Sequence, residues 1–60
     1  MKLVIEINTD NSAFDEYPHM ETMRILQNYV RQIGDRECIP SGTMRDINGN
    51  TVGKVNVYNN

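Results

Sequence analysis

The residues of this chain that could do chemistry are few, and each stands in a pattern that also has a plain structural use. Asp46-Ile47-Asn48-Gly49-Asn50 sets oxygen-bearing side chains at alternate positions, as a calcium loop begins. A loop of the EF-hand kind needs its glycine at about the sixth position and a glutamate at about the twelfth. Here the glycine is fourth and no such glutamate follows, so the stretch reads as a hairpin turn. His19, the single histidine, follows Asp15 and Glu16, a pairing of imidazole and carboxylate that general acid–base catalysis could use. It has no nucleophile or oxyanion device beside it and reads as a surface or helix-capping residue. Cys38, the single cysteine, would need a cation such as Arg36 to become a reactive thiolate, and reads as inert. The sequence therefore assigns no catalytic residue, no metal ligand and no cofactor, and the expectation is a protein that is not an enzyme.

Binding chemistry is better represented. From Asn8 to Glu21 the chain carries Asp10, Asp15, Glu16 and Glu21 with no Lys or Arg, so one end of the molecule should be acidic and suited to a basic groove on a partner. Tyr and Met side chains often dominate binding energy, and Tyr17 and Met20 stand inside this segment. The expected partner contacts are therefore Asp15, Glu16, Tyr17 and Met20. Arg24 and Arg31, seven apart, share a polar helix face, and with Arg45 they could meet phosphate, although Glu21, Gln27 and Asn28 dilute that charge.

These residues need elements to hold them. Lys2 to Asn8 alternates as a strand, with Leu3, Ile5 and Ile7 on one face and Lys2, Val4, Glu6 and Asn8 on the other. Asn8 to Ser12 offers short polar side chains that bond nearby backbone and should form a loop, with Phe14 folding back to cap the core. Pro18 marks a helix start, and from His19 to Ile33 the period is helical. Met23, Leu26, Val30 and Ile33 fall on one stripe, widened by Ile25 and Tyr29, opposite Glu21, Arg24, Gln27, Asn28, Arg31 and Gln32. Gly34 is the expected helix stop and Asp35 to Gly42 an irregular connection. Asn48-Gly49 between two strand-like runs, Thr43 to Ile47 and Asn50 to Tyr58, predicts a hairpin with a type I′ turn. Val52 is out of step with Val55 and Val57, and Gly53 reads as a bulge that restores the register. Asn59 and Asn60 form a frayed end.

The expected fold is α+β: a single β-α-β-β domain over residues 1–60, with one amphipathic helix packed on one face of a three-stranded sheet. Two strand arrangements fit. The first strand pairs in parallel with the second, or the third lies between them and is antiparallel to both. Sixty residues with 38% hydrophobic side chains, no Trp and one Phe make a small core, and a single cysteine cannot staple it. The sheet keeps two edges and the helix stripe spans about 160°, more than one small sheet needs, so a homodimer is expected, with Ile25, Tyr29 and Ile33 at its seam. Whether helix faces or strand edges make that seam is open. A formal charge of −2 and a pI near 5.1 argue against nucleic-acid binding. No apolar run approaches the roughly 18 residues of a membrane span, and the expected location is the cytoplasm.

The chain as a whole resembles a widespread group of small phage and prophage proteins. The likeness is carried by the opening run Lys2-Leu-Val-Ile-Glu-Ile-Asn-Thr-Asp-Asn-Ser-Ala-Phe14 and by the closing run Met44-Arg-Asp-Ile-Asn-Gly-Asn-Thr-Val-Gly53. It implies a phage source and a place in the host bacterial cell, and it offers no catalytic residues. It implies a binding protein, with an anti-defence or host-takeover inhibitor as the favoured role and a nuclease or helicase immune component as its bacterial target. An oligomer that sequesters a nucleotide signal and a small phage regulator are the alternatives.

Overall fold

A computed structural model describes residues 1–59; Asn60, half of the expected frayed end, lies outside them. The chain runs β1 (Lys2–Ile7), a short 3₁₀ turn (Ser12–Phe14), α1 (Pro18–Arg36), β2 (Gly42–Arg45) and β3 (Thr51–Tyr58). The fold is α+β in the order β-α-β-β, and the strand order is β1-β3-β2 with both pairings antiparallel. Of the two arrangements open to the sequence, the one with the third strand in the middle is adopted.

β3 is central and carries the irregularity. Met44 pairs with Gly53 but Arg45 pairs with Thr51, so Val52 is an extra residue that resets the register. The bulge turns Val52 and Val55, three positions apart, to the same side, where both are buried. Gly53 is required at this point by close approach, since a Cβ there would run into the Glu6 carbonyl oxygen of β1. The loop between β2 and β3 is longer than a two-residue type I′ turn. The Gly49 amide donates to the Asp46 carbonyl (3.0 Å), the Asp46 amide donates to the Asn50 carbonyl (2.9 Å), and within this loop the positive φ falls at Gly49 (85°). This is the pattern of a turn closed by a left-handed glycine next to a bulge.

The core consists of Phe14, Ile25, Tyr29, Met44, Val52 and Val55, with Ile7, Ala13, Leu26, Ile33 and Ile39 packed around it. Phe14 closes one end, as its isolation in a polar segment implied. The helix differs from the sequence expectation in two ways. It passes through Gly34 to Arg36, and the left-handed residue that ends it is Glu37 (φ 52°). The added turn carries the chain to where Ile39 reaches the core. The helix is also rotated about its axis. Ile25 and Tyr29 lie at the centre of the buried face, while Met23 and Val30 are 53% and 64% exposed. Glu21, expected on the water-facing side, is buried. The rotation follows from partners that only the fold supplies: Tyr29 donates its hydroxyl to the Pro40 carbonyl (3.0 Å), and Glu21 meets a backbone amide of the β2–β3 loop. A polar group can be buried where it is so paired.

Candidate protein-binding site

The segment before the helix is tied down residue by residue. Asn11 accepts from the Ala13 amide (3.0 Å) with its side-chain oxygen and donates its Nδ2 to Asp46 Oδ2 (2.8 Å). Buried Phe14 anchors the turn between them and α1. Pro18 occupies the first helical turn, where its missing amide leaves no bond unmade, and the Tyr17 carbonyl accepts from the amides of Met20 and Glu21.

Two buried carboxylates join this segment to the hairpin loop. Glu21 holds Arg24 in a bidentate pair (Nε to Oε1 2.7 Å, Nη2 to Oε2 3.0 Å) and accepts the Ile47 amide at 2.8 Å. The Arg24 guanidinium holds the Glu21 carboxyl below its ordinary value, outweighing burial, and the Ile47 amide acts in the same direction. Arg24 is raised by the same bond. Asp46 is pushed up by burial, but bonds from Asn50, Asn11 and Asn48 prevail and leave it below its ordinary value. Its oxygens accept the amides of Asn48 (2.9 Å) and Asn50 (2.8 Å) as well as the two side-chain amides. N–H donors thus occupy the carboxylate that a calcium reading would have given to a cation. Among the described residues no group of three or more His, Cys, Asp or Glu side chains is placed to hold a metal ion.

Around this rigid end the expected partner contacts are exposed. Tyr17 (56%) and Met20 (58%) stand at the start of α1 with Asp15, Glu16 and His19 beside them. Sequence reasoning missed Ile47, which is 69% exposed at the tip of the hairpin loop, its amide fastened to Glu21 one residue along from Met20. The available signal was a β-branched apolar residue inside Asp-x-Asn-Gly, a position where turn residues are ordinarily polar.

The other candidates are dispersed. Ile25 and Tyr29, expected at a dimer seam, are inside the protomer's own core, and Ile33 is half-buried beside it. Arg24 is committed to Glu21, Arg45 donates to the Gly49 carbonyl (2.8 Å), and Arg31 is exposed on the helix. A groove of about 320 Å³ runs between α1 and β2 past Arg24, Asn28, Gln32, Thr43 and Arg45, but both its guanidinium groups are already bonded within the chain. Cys38 is exposed just beyond the helix. No helix among the described residues is long and apolar enough to cross a membrane. No family model, curated protein or solved structure matches the chain.

Proposed function

We propose that this chain is a homodimeric protein-binding module of phage origin that inhibits a bacterial host or immune complex by covering part of its surface, acting in the host cytoplasm and not as an enzyme. The observation that carries the reading is that Tyr17, Met20 and Ile47 are all exposed on segments that the Glu21 and Asp46 hydrogen bonds tie together, with Asp15 and Glu16 exposed beside Tyr17. Large apolar side chains held out on a rigid, acid-rimmed end suit a partner with an apolar pocket inside a basic surface. A nuclease or helicase component, whose own ligand is anionic, offers the basic part of such a surface. The resemblance to small phage proteins supports the same role.

The test is capture of bacterial proteins on the tagged chain, compared with a Tyr17→Ala/Met20→Ala variant. Both positions are exposed, so the variant keeps its fold. The expected result is a stoichiometric nuclease or helicase component retained by the parent and lost by the variant, together with restored phage plating on a host that carries that component. Failure to restore plating against every defence system tested overturns the inhibitor role. Capture that the variant leaves intact overturns the site.

A further inference from the structure

The helix covers the sheet unevenly. Its Arg24, Asn28 and Gln32 side faces β2, so its other flank, with Leu26, Ile33, Val30 and Met23, turns toward the β1 side. It does not reach far enough to cover that strand. Leu3 and Ile5 stay 39% and 38% exposed on the helix-facing side of β1, the face they share with Ile7, and Met23 and Val30 of the helix are exposed as well. β1 is also an edge strand. The Asn8 amide donates to the Val52 carbonyl (2.7 Å), so the even-numbered residues of β1 bond inward to β3 and the amides and carbonyls of Leu3, Ile5 and Ile7 point outward.

From these features we infer that β1 pairs antiparallel with β1 of a second copy, on a two-fold axis through Val4, making one six-stranded sheet. The inference rests on the homodimer reading above and gives it a surface and a register. Charge selects the register. With Val4 opposite its own copy, Lys2 faces Glu6 of the second chain twice over, and Leu3 faces Ile5 twice over. An axis through Lys2 or Glu6 would oppose like charges. The hydrogen-bonding phase agrees: the outward-bonding Leu3 and Ile5 form the bonded pairs, and Val4 lies in a non-bonded pair between them. Because the axis is perpendicular to the sheet, both helices stand on the same side. Leu3 and Ile5 of the two chains then make one continuous apolar strip on the side of the sheet that carries the helices. Glu6, already 3.9 Å from Lys54 of its own chain, gains a second cation in Lys2 of the other.

The test uses sedimentation and cross-linking together. The parent chain should sediment as a dimer at micromolar concentration. Glu6→Lys and Lys2→Glu should each weaken the dimer by about tenfold or more, since each creates two like-charge pairs, and the double variant K2E/E6K should recover it. In a Cys38→Ser background, Val4→Cys should form an intermolecular disulfide on mild oxidation, because the Cα atoms of a non-bonded antiparallel pair lie about 4.5 Å apart. A chain that is monomeric throughout overturns the dimer reading and this pairing together. A dimer that neither responds to the charge exchange nor cross-links at Val4 overturns the β1 pairing alone.

Discussion

At the scale of single residues, Glu21 and Asp46 carry consequences that their sequence neighbours do not suggest. Glu21 accepts a guanidinium and a backbone amide from a site 26 residues away, and Asp46 gathers donors from both sides of the chain. Glu21→Ala leaves the Ile47 amide and Arg24 without their acceptor and should cost about 1–3 kcal/mol, measured by urea unfolding. An unchanged midpoint would mean that water replaces the carboxylate without loss. Both carboxyls are held below their ordinary values of 4.5 and 3.8. A group so held binds fewer protons folded than unfolded, so its contribution is complete above its ordinary value and is lost as pH falls toward the lowered one. Thermal stability should therefore stay level from neutral pH to about 5 and decline below, with a shallower decline in Glu21→Gln. The sequence made Asp46 legible as a turn residue, through Asp-x-Asn-Gly. It did not reveal the role of Glu21, because helical spacing alone sets it among Arg24 and Gln27 on a face that reads as polar.

At the scale of elements, two glycines separate local signals from tertiary ones. Gly34 looks like a helix stop because it follows the last apolar residue of the stripe, yet it lies within α1 with open space where a Cβ would stand. Gly34→Ala should raise stability by about 0.5–1 kcal/mol, a Tm increase of roughly 2–8 °C for a chain of this size, by calorimetry. A decrease would show that this position needs a left-handed backbone. Gly53→Ala should act in the opposite sense, costing about 1–3 kcal/mol, because the added carbon meets backbone and not a side chain that can turn away. Val52 and Gly53 are the element-level feature the sequence exposed best: a valine out of step with Val55, followed by a glycine, is what a bulge looks like in one dimension.

At the scale of the molecule, the helix is longer than the sheet it covers, and the shape shows it. The radius of gyration is 12.0 Å, against roughly 10 Å for a typical compact chain of this length. Among the described residues six form the buried hydrophobic core, while Leu3 and Ile5 of β1 and Met23 and Val30 of α1 stay exposed. A fold this lightly covered gains stability when a second copy closes the open side, and mass action makes that gain depend on concentration. The Tm should rise by several degrees as protein concentration is raised about a hundredfold, and it should stop rising in Glu6→Lys. A Tm independent of concentration in the parent would mean that the protomer is stable by itself.

The sequence by itself determined which segments are strands and which is the helix, the hairpin that joins the last two, an irregularity near Val52 and Gly53, and the burial of Phe14. These follow from period, turn chemistry and propensity, all of which act over a few neighbouring residues. It also placed Asp15, Glu16, Tyr17 and Met20 together at one end. Tertiary structure alone decided that β3 lies in the middle, that the helix turns Ile25, Tyr29 and Glu21 inward and leaves Met23 and Val30 outside, and that Ile47 joins the exposed end. A helical period orders residues around an axis but does not say which direction faces the sheet. That direction is set by bonds such as Glu21 to Ile47, Tyr29 to Pro40 and Asn11 to Asp46, made across 26, 11 and 35 residues of chain, and these exist only once the chain has folded.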